Sequence, residues 1–255
     1  MSLRIYIVLP DLSITKIKAI EIASREADFG ILVSYSIIKM KPVVLERLSA
    51  LRSKTEVSVM LDSGAYHLAK LGLEVGVRDY ADLILKHNKL FDIVVAPDVP
   101  GDCSTTLART REFAKVYRGE FMPVVQGKNL EEYLKCYKEL EEISTTVRGI
   151  GGLDGDKRRT SFIASVVRVL PKGLHLFGVG ARAVAGLSKA GLLDKVVSVD
   201  SSGWLAEIRF RRRSVLGADG VVEANAKAIQ VYIERVKKAT DKTKRTERLT
   251  IETPS

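Results

Sequence analysis

The sequence predicts a single α/β domain of the (β/α)8, or TIM, barrel type. Eight runs rich in β-branched and apolar residues alternate with amphipathic segments, which is typical of a parallel sheet with crossover helices. The chain has 255 residues, a normal length for such a barrel. An open doubly wound sheet is the main alternative, and the count of eight runs together with the length favours the barrel.

The predicted strands are short, and some, such as the one ending at Ala96, are apolar at almost every position. Continuous apolar runs of this kind indicate strands that are covered on both faces, as parallel sheets require. The strand candidates are Arg4–Leu9, Gly30–Ser36, Glu56–Leu61, Asp92–Ala96, Phe121–Gln126, Val147–Gly151, Leu174–Gly178 and Val196–Asp200.

Segments between these strands repeat their apolar residues every three or four positions, so they are predicted to be helices. They include Ser13–Ala27, Pro42–Ser53, Ser104–Tyr117, Leu130–Ile143, Lys157–Leu170, Arg182–Leu193 and a last helix, Val221–Ala239. Either Asp102 or Ser104 is suited to cap the helix that follows the fourth strand. The barrel is therefore predicted to span residues 1–240, with a polar, basic tail over residues 241–255.

The composition predicts a protein of the reducing cytoplasm with a polyanionic partner. The formal net charge is +10, and basic residues concentrate at Arg209–Arg213 and in the C-terminal tail. A solvated helix end explains the tail equally well. Cys103 and Cys136 have no CxxC spacing, so we expect neither a disulfide framework nor a structural metal site. No apolar run approaches the roughly 18 residues of a membrane span, and the N-terminus lacks a signal-peptide cleavage site.

Polar residues follow six successive predicted strands, at the end of a barrel where active sites lie. The third, fourth and eighth predicted strands end in an aspartate, namely Asp62, Asp98 and Asp200. The fifth strand ends in Gln126, and the sixth ends in Gly151 and Gly152. Carboxylates gathered in a confined site push their pKa values apart, which suits an acid, a base and a nucleophile.

Each of these residues also has a purely structural interpretation. An aspartate after a strand is often a helix cap or a turn former, and a single glutamine or glycine pair is a weak signal. His175 begins a strand, so we expect it to pack at the bottom or in the wall of the barrel. The role of His67 stays open. The joint pattern at six strand ends supports the functional interpretation.

The motifs at these strand ends resemble those of the tRNA-guanine transglycosylase family. Asp62–His67 is similar to the family's Asp-Ser-Gly-Gly-(aromatic)-Gln motif. His175–Gly180 is similar to a different segment, in the form that archaeal members of the family have. The segment around Gln126 resembles Val-Gln-Gly-Gly, and Gly151-Gly152-Leu153 resembles the Gly-Gly-Leu loop. Val199-Asp200-Ser201, with Trp204 beyond it, resembles the segment that bears the family's nucleophile. These motifs run in family order over about residues 56–213.

The resemblance implies a base-exchange enzyme that replaces guanine in a nucleic acid by a 7-deazaguanine, such as 7-cyano-7-deazaguanine, without a cofactor. It implies Asp200 as the nucleophile that forms a covalent glycosyl intermediate and Asp62 as general acid/base. The base would be bound by Asp98, Gln126, Gly151, Gly152, Tyr66 and Ser63. The nucleic-acid backbone would be held by Arg209, Arg211, Arg212 and Arg213.

The family's cysteine-rich zinc site and its archaeal RNA-binding domains are missing from this sequence, which favours DNA slightly over tRNA. A tRNA-guanine transglycosylase proper and a non-catalytic nucleic-acid-binding paralogue or partner subunit remain alternatives. So does an unrelated barrel enzyme that holds a phosphorylated metabolite at Gly178–Gly180. A homodimer is possible, because family members often dimerise.

Overall fold

The computed structural model describes residues 3–153, 160–211 and 217–251. Its eight strands fall where the sequence predicts them, although most are shorter. They are β1 (Arg4–Leu9), β2 (Gly30–Ser34), β3 (Ser58–Asp62), β4 (Ile93–Val94), β5 (Val124–Val125), β6 (Arg148–Ile150), β7 (Leu174–Leu176) and β8 (Val196–Ser201).

Helices connect all of these strands. They are α1 (Ile14–Ala23), α2 (Tyr35–Met40), α3 (Val43–Arg52), α4 (Ala65–Lys70), α5 (Val77–Lys86), α6 (Cys103–Val116), α7 (Leu130–Glu139), α8 (Thr160–Val169), α9 (Ala181–Lys189), α10 (Trp204–Arg211) and α11 (Gly217–Ile251). Of the two capping candidates before α6, Asp102 is the one used, because its side chain accepts a hydrogen bond from the Thr105 N–H at 3.0 Å.

All strand pairs are parallel, and the sheet order is β4-β3-β2-β1-β8-β7-β6-β5. The two ends of this order meet at a parallel bridge between Val95 and Met122. Two backbone hydrogen bonds make the junction, from Ala96 N–H to Met122 O at 2.9 Å and from Met122 N–H to Val94 O at 2.8 Å. The predicted (β/α)8 barrel is therefore confirmed, and the open-sheet alternative is wrong.

Alternate residues of each strand pack on opposite sides of the barrel wall, as the two-residue period of a strand requires. One cluster, which includes Ile7, Ile31 and Val59, packs against the helices. The other fills the barrel interior and contains Tyr6, Leu32, Met60, Val95, Met122 and Val124. Asp62 follows Met60 by two residues, and Gln126 follows Val124 by two residues. These polar side chains therefore share the inward face.

Helix α11 is longer than the sequence predicts. The expected helix was Val221–Ala239, whereas α11 begins at Gly217 and runs through Ile251, into the segment predicted to be a separate tail. Its first half packs on α1, α9 and α10, which ties the C-terminal part of the chain to the barrel. Among the described helices, none is long and apolar enough to cross a membrane.

Candidate functional site at the C-terminal mouth

Three carboxylates lie at the C-terminal ends of β3 and β8 and in the loop after β4. We call this region the mouth and define it by Asp62, Asp98, Gln126, Gly151 and Asp200. Asp62 is half-buried and accepts a hydrogen bond from the Gly64 N–H at 2.9 Å. Burial, followed by the charges of Asp98 and Asp200, raises the pKa of Asp62 to about 7. The structure therefore places at one end of the barrel the acids that the sequence carries on three separate strands.

Asp98 is held by two side chains from neighbouring strand ends. Ser63 Oγ donates to its Oδ1 at 3.1 Å, and Gln126 Nε2 donates to its Oδ2 at 2.6 Å. Burial raises the pKa of Asp98, and these two hydrogen bonds offset part of that shift because they stabilise the charged form. Each carboxylate oxygen keeps lone-pair capacity for a further donor.

Gln126, predicted to bind a ligand, makes hydrogen bonds within the protein at both ends of its amide. Its side chain is 1% exposed, its Nε2 donates to Asp98, and its Oε1 accepts from the Gly101 N–H at 3.1 Å. Both ends of the amide are therefore occupied. In this structure Gln126 orients Asp98 and ties it to the loop after β4.

Gly151 and Gly152 make room for that amide. A Cβ on Gly151 would lie 2.1 Å from Gln126 Nε2, and Gly152 has a positive φ of 67° that favours glycine. Tyr133 Oη donates to Gly151 O at 2.6 Å and holds the turn from behind. The glycine pair thus serves the packing of Gln126, in addition to any contact with a ligand.

Asp200 is almost completely buried, at 4% exposure, and it contacts a histidine that the sequence analysis assigns to the barrel wall. His175 Nε2 and the Gly178 N–H both lie 3.2 Å from Asp200 Oδ1, and His175 Nδ1 lies 2.8 Å from Ser198 Oγ. The two-residue period of the strands is the sequence signal that could have predicted this contact. His175 is paired in register with Ser198, and Asp200 follows Ser198 by two residues on the same face.

Tyr66 and His67 lie on α4 at the rim of the mouth. The Tyr66 ring is 52% exposed and is covered on one face by Lys70 Nζ, 4.1 Å from the ring centroid. His67 is exposed, and its Nδ1 lies 3.1 Å from Ser36 Oγ. Stacking of Tyr66 on a substrate therefore stays a prediction.

Only part of the predicted arginine cluster falls within the described residues. Arg209 is exposed on α10, and Arg211 is the last residue of that helix. Arg212 and Arg213 lie outside the described residues. The expectation that this cluster holds phosphates remains without a structural test.

A large cavity lies at the opposite, N-terminal end of the strands and has a volume of about 1250 Å³. Tyr6, Met60 and Ser198 are among the residues that line it. Two of its charged residues are already neutralised, since Asp92 pairs with Arg52 at 2.9 Å and Asp194 pairs with Lys172 at 2.7 Å. The mouth is the better candidate for chemistry, because its acids are not neutralised by a lysine or arginine ion pair from the described residues.

Comparisons with solved structures show the same fold at low sequence identity. A putative fructose-1,6-biphosphate aldolase from Coccidioides immitis matches at a TM-score of 0.59 with 18% identity, covering 96% of this chain and 92% of that one. The YdjI aldolase from Escherichia coli matches at 0.59 with 8% identity, over 92% and 91% of the two chains. A tryptophan synthase alpha-subunit from Pyrococcus furiosus matches at 0.55 with 14% identity, over 91% and 98%. No family model and no curated protein matches the chain.

These comparisons define the class of protein as a TIM barrel, and they correct the family assignment. The predicted membership in the tRNA-guanine transglycosylase family is wrong, since the structural neighbours are aldolases and other barrels and no family model matches. Three predictions depended on that assignment and are wrong as well: the base exchange, the 7-deazaguanine ligand and the two nucleic-acid alternatives. The physical reason is that aspartates and glycines after strands serve as caps and turns in any α/β barrel, so short motifs in strand order arise without shared chemistry.

Proposed function

We propose that this chain is an enzyme that catalyses proton transfer by general acid–base catalysis at the mouth, with Asp62 as the acid. The observation that carries the proposal is a half-buried carboxyl whose pKa is raised to about 7, next to two further carboxylates. A group with a pKa near the working pH is the most effective general acid, because it is both protonated and ready to give up its proton.

Asp62 and Asp200 have different surroundings, which suits different roles. Asp62 accepts one backbone hydrogen bond and is repelled by its acidic neighbours, so its protonated form is favoured. Asp200 receives two donors on Oδ1, while its Oδ2 accepts no hydrogen bond from the described residues. In the proposed reaction the proton of Asp62 passes to a substrate heteroatom or carbon, and Asp200 accepts a proton from the substrate through Oδ2.

The charge of the mouth favours a neutral or cationic substrate with several N–H or O–H donors. Asp98 keeps acceptor capacity on both oxygens and would bind such donors directly. A phosphorylated substrate fits less well. Its charge would be repelled by the acids, and the Gly178 N–H of the expected phosphate cradle already donates to Asp200.

The activity named for two structural neighbours is not carried over to this chain. Aldol cleavage stabilises a developing carbanion, which a lysine amine accomplishes through a Schiff base or a metal ion as a Lewis acid. The eight described strands carry no lysine, and among the described residues no three histidine, cysteine, aspartate or glutamate side chains are placed so that they could hold one metal ion. The mouth offers carboxylic acids, and the proposal uses those.

The test is a screen for proton exchange in heavy water. Neutral and cationic metabolites, among them sugars, polyols, amino acids and nucleobases, are incubated with the protein, and proton NMR follows exchange or conversion of each compound. We expect at least one compound to react with the wild type and with Asp194→Asn, and not with Asp62→Asn. Asp194 is a matched control because it is an exposed aspartate at the opposite end of the barrel. Equal rates for wild type and Asp62→Asn would overturn the assigned acid.

A further inference from the structure

We infer that His175 is a positioning residue for Asp200, held in one orientation by its two buried hydrogen-bond partners. The inference deepens the proposed function and rests on it for the role of Asp200. It is carried by a chain of contacts across β7 and β8, in which Ser198 Oγ lies 2.8 Å from His175 Nδ1 and His175 Nε2 lies 3.2 Å from Asp200 Oδ1. All three side chains are at least nine-tenths buried.

If the His175 imidazole is neutral, the hydrogen-bonding groups of its two neighbours are compatible with only one position of its hydrogen. An ionised carboxylate is only an acceptor, so His175 Nε2 must carry the hydrogen that points to Asp200. Nδ1 is then an acceptor, and the Ser198 hydroxyl must donate to it. Asp200 therefore selects the tautomer, and the Ser198 hydroxyl completes it by donating to Nδ1.

Two aromatic side chains hold the imidazole ring in this orientation. Phe177 meets it edge-on with ring centroids 4.5 Å apart, and Tyr6 does so at 6.1 Å. His175 has no exposed surface, so a ring flip would have to displace packed neighbours. A fixed ring gives a fixed hydrogen-bond direction toward Oδ1.

The consequence concerns the second oxygen of Asp200. His175 and the Gly178 N–H both bind Oδ1, which pins one end of the carboxylate and leaves Oδ2 for the substrate. Without the histidine, only the Gly178 N–H would hold Oδ1, and the carboxylate plane could rotate about the Cβ–Cγ bond away from this orientation. Catalytic groups must keep their geometry within a few tenths of an ångström, so such rotation reduces turnover more than binding.

Nitrogen-15 NMR of the histidine rings tests the tautomer without any substrate. The chain has three histidines, and the two others, His67 and His87, are internal references. We expect a slowly exchanging proton on His175 Nε2 and a bare Nδ1 in the wild type. In Asp200→Ala, which removes the acceptor for Nε2–H, we expect the tautomer with hydrogen on Nδ1 to appear, because Ser198 can accept that hydrogen. A hydrogen found on Nδ1 alone in the wild type, or an unchanged His175 pattern in Asp200→Ala, would overturn the inference.

A rescue experiment tests the positioning role itself with a substrate from the heavy-water screen. His175→Leu removes the donor to Asp200, whereas His175→Gln supplies an amide N–H at a similar reach. We expect kcat to fall about 100-fold in His175→Leu with KM nearly unchanged, and to recover at least about tenfold in His175→Gln. Equal activity in the two folded variants contradicts positioning by a hydrogen bond. If no compound reacts with the wild type, the proposed function fails, while the NMR result still decides the tautomer.

Discussion

The two ends of this barrel are made by the same eight strands, yet they treat charge in opposite ways. At the N-terminal end, a cavity of about 1250 Å³ is lined by Asp92 and Asp194, which pair with Arg52 and Lys172. At the C-terminal mouth, no salt bridge among the described residues joins Asp62 or Asp98 to a lysine or arginine, and the pKa of each is raised. The cavity and the proposed site therefore lie at opposite ends of the barrel.

The difference is the one that the proposed function requires. A paired surface charge contributes little to stability, and its contribution changes little with pH. Uncompensated carboxylates cost stability, and a protein retains them where the chemistry requires a proton donor or acceptor. Four measurements would sharpen or break this comparison, beginning with the one for which we expect the largest effect.

Replacing Asp200 by Asn should reduce turnover about 1000-fold for any substrate found in the heavy-water screen, since the amide cannot accept the proton. The matched change at the other end is Asp92→Asn, which disturbs an ion pair with Arg52. We expect Asp92→Asn to keep turnover within about threefold, because that residue lies far from the proposed proton path. Comparable losses in both variants would show that the two ends are not functionally distinct.

Met60 lies inside the barrel, lines the N-terminal cavity and precedes Asp62 by two residues on the same face. Truncation to Ala should lower the free energy of unfolding by about 3 kcal/mol, because a fully buried side chain is lost and the surrounding strands cannot collapse. Urea denaturation measures the change. Leu85→Ala is the control, since Leu85 is 55% exposed and its loss should cost less than about 0.5 kcal/mol.

The free energy of unfolding should depend on pH through Asp62, the carboxyl of the mouth with the raised pKa. The pKa of Asp62 is raised to about 7 in the folded state, so folding favours its protonated form, and stability is lost as the pH rises toward and through 7. Asp62→Asn removes the charge and should stabilise the protein by about 1–2 kcal/mol at pH 8, with the gain vanishing toward acidic pH. Denaturant titrations at several pH values measure this. A variant that gains nothing at alkaline pH would contradict the raised pKa.

The smallest effect should come from the exposed pair of Lys172 and Asp194 at the N-terminal end. Lys172→Ala should change the free energy of unfolding by less than about 0.5 kcal/mol, because both partners are solvated and the pair is screened by salt. Thermal denaturation at low and high salt provides the measurement. A loss above about 1 kcal/mol would mean that this end depends on its charges as strongly as the mouth does.

Much of the fold could be predicted from local patterns. The eight strand positions and most helices follow from apolar spacing, and the gathering of Asp62, Asp98 and Asp200 follows from the rule that parallel strands end at one edge. The resemblance to tRNA-guanine transglycosylases was wrong because it depended on short motifs that barrels share for structural reasons. The last helix was predicted to end at Ala239, and α11 continues through Ile251.

The sequence by itself determined the barrel and the residues available at its mouth, because strand and helix periods are properties of neighbours along the chain. Tertiary structure decided what those residues do to one another. The pKa of Asp62 depends on burial and on charges from two distant strands, and the contact of His175 with Asp200 depends on the register of β7 against β8. These contacts and charge interactions arise only when the chain closes into a barrel, because the residue spacing within one segment does not encode them.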